Sequence, residues 1–329
     1  MAAQRNLITD IPGIRVGQAQ DARLGSGVTA VVFDEPAVAS ADVRGGAPGT
    51  RETDLLEPHR TVQSIDAVVL SGGSAFGLDA ATGVQAWLRE QRRGFAIGNV
   101  RVPIVCGAVL FDLTNGGDKD WGRFPPYREL GHAAASASAA DFQLGTAGAG
   151  FGATTINYKG GVGSASAVTG RGHTVGALVA VNACGSATVG GGPHFWAAPF
   201  ESHGEFGGLG FPAQIAANNL IPLCKGSAGA NTTIALVATD ADCTKAQLKQ
   251  IAGMAQDGIA RAIYPAHTAL DGDTVFSVST GRRAMVEPTW ELTQIGLSCA
   301  NVLARAIARA VFEAAALPGG IPSWHDCHT

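Results

Sequence analysis

The run Thr232-Thr233-Ile234-Ala235-Leu236-Val237-Ala238-Thr239 constrains this chain more than any other stretch. It is β-branched and apolar, is stopped by Asp240, and reads as a core strand. It follows directly on Gly226-Ser227-Ala228-Gly229-Ala230-Asn231, a run of small residues ending in an amide. A hydroxyl residue therefore stands at the seam between a loop and a buried strand. If the Asn231–Thr232 bond is broken, Thr232 becomes a chain terminus with both a nucleophilic hydroxyl and an α-amine. Such an amine titrates at about 7.7–8, close enough to working pH to act as base for the hydroxyl. The same stretch also reads as an ordinary glycine-rich loop entering a strand. Asn231-Thr232-Thr233 fits the Asn-x-Ser/Thr glycosylation pattern as well, but that requires a secretory route.

Composition narrows the setting. With 46% apolar and 15% charged residues in 329, the chain can build a substantial core, and disorder is disfavoured. The 45 glycines fall in short clusters without a three-residue period, which excludes collagen and points to tight turns. A net charge of −4 without a long basic run disfavours nucleic acid as a partner. The first ten residues lack the apolar core of a signal peptide, and no apolar run reaches the roughly 18 residues of a membrane span. The expectation is a cytoplasmic protein with no membrane partner. Its six dispersed cysteines then read as free thiols and not as a disulfide framework or a zinc site. Cys327 lies near His325 and His328, where a frayed end is the simpler reading than a metal site.

Taken in order, Val28–Phe33 and Ile65–Leu70 read as strands, Ala37–Asp42 as a weaker one, and Asp42–Asp54 as a glycine-rich, charged loop. Ser71 to Gly77 is a glycine turn into a helix over Leu78–Gln91. It lacks the G-x-G-x-x-G and Lys-Ser/Thr patterns of nucleotide sites and reads as close packing. Val102–Val105 and Ala108–Leu113 are further strand candidates, and Asn115–Tyr127 a loop able to border a pocket. A helix is expected over Gly131–Phe142 and another, with Thr244 as cap, up to Ile263. Residues 186–229 read as loop, with a helix at Pro212–Leu220. A last helix spans Leu292–Leu317 with a break near Ser298.

Four polar positions stand out in this order. Lys159 is wedged between small residues, so its ammonium faces either a confined site or solvent in a turn. Asn182 ends the strand His173–Asn182, where an amide either donates into a cleft or caps a turn. Asp271-Gly272-Asp273 precedes a strand. Its two carboxylates either lean into one site or make a plain turn, and the spacing of a calcium loop is missing.

Several motifs now coincide: Asp42-Val43-Arg44-Gly45-Gly46-Ala47-Pro48-Gly49-Thr50, Leu70-Ser71-Gly72-Gly73-Ser74-Ala75-Phe76-Gly77-Leu78, Lys159-Gly160-Gly161, Asn182, Asn231-Thr232-Thr233, and His267 to Phe276. In that order they resemble the L-aminopeptidase/D-esterase family of self-cleaving hydrolases, which includes β-peptidyl aminopeptidases and nylon-oligomer (6-aminohexanoate-oligomer) hydrolase. The resemblance implies an α+β fold, a four-layer αββα sandwich forming one domain over 1–329. Self-cleavage would split it into an α chain, 1–231, and a β chain, 232–329, with protomers assembling as homotetramers. It implies Thr232 as nucleophile, Asn231–Thr232 as the bond cut, Lys159 beside the nucleophile, and Asn182 as oxyanion amide. Asp271 and Asp273 would orient the amine and lysine. The aminopeptidase branch uses a serine nucleophile, so Thr232, Lys159 and Asp-Gly-Asp place the chain nearer the nylon-hydrolase branch. Some relatives carry a tyrosine that matches Phe111, which has no hydroxyl; Tyr158 is one candidate to replace it.

The function this implies is cleavage of amide bonds in small peptides or amino-acid-like oligomers through an acyl-enzyme, with no metal or organic cofactor. Two alternatives stand beside it. One is acyl transfer to an amine, as in ornithine acetyltransferases, which share a self-cleaving design at a threonine. The other is an uncleaved homologue that binds a small ligand.

Overall fold

The computed structural model describes residues 5–225 and 231–328; of the seam read from the sequence, Gly226 to Ala230 lie outside them. The chain forms β1 (Ile14–Asp21), β2 (Ser26–Val43), β3 (Thr50–Arg51), β4 (Ser64–Ser71), α1 (Ala80–Glu90), β5 (Phe95–Ile97), β6 (Val100–Val102) and β7 (Val105–Val109). There follow α2 (Tyr127–Ser136), β8 (Gly161–Val168), β9 (Thr174–Asn182), β10 (Thr232–Ala241), α3 (Lys245–Ala262), β11 (Thr274–Arg283), α4 (Pro288–Phe312) and α5 (Trp324–His328). The fold is mixed α/β. Among the described residues, strands bond in the order β3-β7-β4-β2-β11-β10-β9-β8, with β1 on β2; β5 and β6 form a separate hairpin.

Strand alternation explains how this sheet is buried. Successive side chains face opposite sides, so a strand apolar at every position serves two cores. Every residue of β10 is buried. Its Ala235 and Val237 join Val179 and Val181 of β9 against Leu248 and Ile259 of α3 and Leu303 of α4. Its Ile234, Leu236 and Ala238 face the other way, into a core with Val68 and Leu70 of β4 and Phe276 of β11. A third core packs Val28, Ala30 and Val32 of β2 and Val69 of β4 against Val84 and Leu88 of α1 and Ala134 of α2.

The helix ends follow local chemistry. Thr244 caps α3 by accepting from the Gln247 N–H, and Gln247 reaches back to the Thr244 N–H at 2.8 Å. α4 opens with Pro288, and Glu291 Oε1 takes the Val286 and Glu287 N–H groups at 3.0 and 2.9 Å. By length and composition α4 could span a membrane, but 72% of that apolar window is buried inside the protein, as suits a core helix.

Four expectations are corrected. The helix expected over Gly131–Phe142 starts at Tyr127 and stops at Ser136, because Ala139 turns away to bridge Val16 of β1. α4 runs unbroken past Ser298. Pro212–Leu220 holds only a short turn of 3-10 helix at Ala217–Leu220. The C-terminal segment is packed and not frayed: Trp324 is buried, and its Nε1 donates to the Pro193 carbonyl at 3.1 Å.

Candidate active site

The sheet brings Asn182, Thr232, Asp271 and Asp273 to one end of three neighbouring strands. β9 and β10 are antiparallel, with Asn182 opposite Thr232. β11 runs parallel to β10 from Thr274, opposite Ile234, so the Asp-Gly-Asp turn before it reaches the start of β10. Asn231 forms a bridge with Asp271, and the Gly272 N–H donates to the Asn231 carbonyl at 3.1 Å. The Thr232 hydroxyl donates to that same carbonyl. Thr232 is 4% exposed. Position 272 has to be small: a Cβ there would stand 2.9 Å from Thr232 Oγ1 and 2.7 Å from the Ala47 carbonyl.

The two carboxylates hold backbone. Asp273 Oδ1 accepts the Thr233 N–H at 2.8 Å, fixing the residue after Thr232. Its Oδ2 accepts the His267 N–H at 3.0 Å and lies 2.9 Å from His267 Nδ1. Burial works to lower the pKa of His267, but the bond to Asp273 and its charge outweigh this and raise it. Asp271 Oδ1 accepts the Cys184 N–H at 3.0 Å, and Oδ2 accepts the Thr268 hydroxyl at 2.6 Å. Burial, then the Asp273 charge, pushes Asp271 up.

Asn182 is fully buried, and its carboxamide is pinned at both ends. Oδ1 accepts the Thr154 N–H at 2.9 Å, and Nδ2 donates to the Phe111 carbonyl at 2.9 Å. Phe111 thus contributes backbone here. Tyr158 does not replace the hydroxyl Phe111 lacks: its own contacts the Gly191 carbonyl and His328 Nε2. Lys159 is reached through the neighbouring Thr154, with which it forms a bridge. Its ammonium donates to the carbonyls of Gly150, Ala153 and Gly160 at 2.8, 2.7 and 2.8 Å, and not to Thr232. Burial pushes Lys159 down to about 7, with Asp112 opposing and the Lys225 charge assisting.

Two further groups at this site carry little signal in the sequence. Asp112 is fully buried and accepts from Ser26 Oγ at 2.6 Å and the Gly73 N–H at 2.8 Å; burial raises its pKa. Its position at the end of an apolar run was the available signal. Lys225 Nζ donates to the Thr154 carbonyl at 2.7 Å and approaches Asn182 O and Oδ1 at 3.4 Å each. Nothing local in the sequence marks it. Lys159, Lys225, Asn115, Gly152 and Thr154 line a cavity of about 700 Å³. The expectation that the loop from Asn115 borders a pocket is met at Asn115–Gly117.

The model of peptidase family S58 matches residues 6–321. The chain belongs to peptidase family S58. As an S58 member it is a hydrolase of amide bonds. It is 45% identical over 342 residues to an uncharacterized aminopeptidase of Mycobacterium tuberculosis (strain ATCC 25618 / H37Rv), covering 98% of this chain and 97% of that one. It is 28% identical over 287 residues to the 6-aminohexanoate-oligomer endohydrolase of Agromyces sp. (strain KY5R), covering 82% and 74%. Identity is thus higher to the mycobacterial aminopeptidase than to the nylon-oligomer enzyme. Among solved structures, the L-aminopeptidase D-Ala-esterase/amidase of Ochrobactrum anthropi, described as a variant among the Ntn-hydrolase fold, superposes with a TM-score of 0.66. Identity is 22%, and 94% of this chain and 86% of that one are covered. A Burkholderia sp. β-aminopeptidase gives 0.70 at 18% identity, covering 98% and 91%. These likenesses establish the shared fold.

Proposed function

We propose that the chain processes itself at Asn231–Thr232 and then cleaves amides of small peptides or amino-acid-like oligomers with Thr232 as N-terminal nucleophile. One observation carries this reading: the Thr232 hydroxyl and the Gly272 N–H meet on the Asn231 carbonyl. A nucleophile beside a carbonyl whose oxygen already holds a fixed donor is the arrangement an acyl shift needs. Thr232 Oγ attacks the Asn231 carbon while its proton is taken by a base. The C–N bond breaks, the proton goes to the leaving nitrogen, and an ester links the two residues. Water then hydrolyses the ester, leaving a carboxylate on Asn231 and a free amine on Thr232.

In turnover that amine, or Lys159 in its neutral form, takes the proton from Oγ as it attacks a substrate amide. Asn182 Nδ2 and the Gly272 N–H hold the oxyanion; loss of one such donor typically raises the barrier by about 2.7–4 kcal/mol. The leaving amine departs with the transferred proton, and water resolves the acyl-enzyme. Asp273 holds Thr233 in register, and Asp271 shapes the turn that presents Gly272. The packing of three cores between helices and strands supports a four-layer αββα domain built from chains 1–231 and 232–329. Assembly into homotetramers draws support from the β5–β6 hairpin, which exposes Phe95, Ile97, Val100 and Val102. The relatives above carry the names of an aminopeptidase and an endohydrolase, which favours water as acceptor.

Denaturing mass spectrometry of the purified protein tests the reading. Two chains meeting at 231/232 are expected, and one uncut chain from Thr232→Ala with no amidase activity. A cut and active Thr232→Ala protein would remove Thr232 from the mechanism.

A further inference from the structure

The cavity of about 700 Å³ described above has an unbalanced wall. Lys159 and Lys225 line it, and no aspartate or glutamate does among the described residues. Each ammonium meets only neutral oxygens: the three carbonyls on Lys159, and Thr154 and Asn182 on Lys225. Neither is ion-paired among the described residues, whereas Lys249 pairs with Glu57 at 2.9 Å. The two carboxylates whose charges act on these lysines through space are bonded elsewhere: Asp271 to Cys184 and Thr268, and Asp112 to Ser26 and Gly73. A buried charge with no hydrogen-bonded counter-charge is unfavourable, and an incoming anion relieves it. Burial pushes Lys225 down to about 8, with Cys184 and Asp271 resisting, so it is charged at neutral pH.

We infer that Lys225 anchors a free carboxylate of the substrate, so that the cavity selects amides with a carboxylate close to the scissile bond over their neutral counterparts. The inference rests on the amidase reading above and names its substrate class. Position limits the chemistry further. Lys225 Nζ lies 3.4 Å from the carbonyl of Asn182, the residue paired with Thr232. A carboxylate on Lys225 is therefore held one strand pairing, about 4.5–5.5 Å between Cα atoms, from the strand position of the nucleophile. Dipeptides, whose carboxylate follows the scissile nitrogen by one carbon, fit this placement. Their leaving group is an amino acid with a free carboxylate, and the ammonium supplies a charge-assisted donor for it.

The test uses the mature protein with two readouts. First, glutarate should raise Tm while glutaramide should not. Lys225→Gln, which keeps a donor to Thr154 without the charge, should lose the glutarate response, and Lys225→Arg should keep it. Second, the ratio of kcat/KM for alanyl-alanine to that for its C-terminal carboxamide should fall roughly ten- to hundredfold in Lys225→Gln, the range expected for losing a charged hydrogen bond. Equal shifts with glutarate and glutaramide, no shift, or a shift unchanged in Lys225→Gln would overturn the anchor even if peptides are cleaved. A glutarate shift that depends on Lys225, in a protein that cleaves no amide, would support the anchor and remove the amidase reading alone.

Discussion

The backbone N–H of Gly272 donates at 3.1 Å to the carbonyl oxygen of Asn231, the same oxygen the Thr232 hydroxyl contacts. The bond proposed to break is thus held from the turn before β11, about forty residues downstream in sequence and adjacent only through the sheet. Gly272→Ala should disturb this contact, because its Cβ would stand 2.9 Å from Thr232 Oγ1. The fold should survive and uncut chain accumulate, with self-cleavage slowed about 10²-fold, the scale for a lost oxyanion donor. A time course on denaturing gels reads this directly; wild-type kinetics would show that the turn does not align the bond.

Lys159 sits near its midpoint at neutral pH, since burial brings it down to about 7. If its neutral form is the base, kcat/KM should rise with pH through about 7. Lys159→Arg stays charged at any working pH and should drop kcat by about 10²-fold or more. A Lys159→Arg enzyme with wild-type kcat would assign the base to the Thr232 amine.

The His267–Asp273 pair predicts a stability trend. Its partner raises the folded pKa of His267 above the unfolded value of about 6.5. Its contribution is fully present below that value and is lost as pH rises through the folded pKa. Urea unfolding should therefore show His267→Gln destabilised at pH 5–6 and approaching wild type at higher pH. A gap that widens with pH would reverse the assignment.

Glu291 titrates in the opposite sense. The Glu287 N–H, His173 and the Val286 N–H hold its pKa down at about 2. Its stabilisation is present above the unfolded value of about 4.3 and disappears as pH falls through about 2. Glu291→Gln should lower Tm at pH 7, and the two melting curves should converge as acid is added over that window.

Legibility in the sequence tracked how local each cause was. The cap at Thr244 and the buried strand from Thr232 were readable because capping and β-branched runs act within a few residues. β8 is not legible as a strand in the sequence. Its Gly-Val-Gly-Ser-Ala composition looks like loop, but α4 crosses so closely that a Cβ on Gly163 would lie 1.9 Å from the Ala306 carbonyl. Tyr127 drew α2 forward by burying itself beside Ser26, 101 residues away. Lys225 was silent for the same reason, since Thr154 and Asn182 lie 71 and 43 residues from it.

Strand order has a consequence for what a nick would do. The two strands downstream of residue 231, β10 and β11, lie side by side, flanked by β9 on one edge and β2 on the other. A break before Thr232 would leave the downstream fragment gripped on both sides by the upstream one. Dissociation would then require tearing two hydrogen-bonded ladders at once, so fragments from differently labelled molecules should keep their original mates until the protein is denatured.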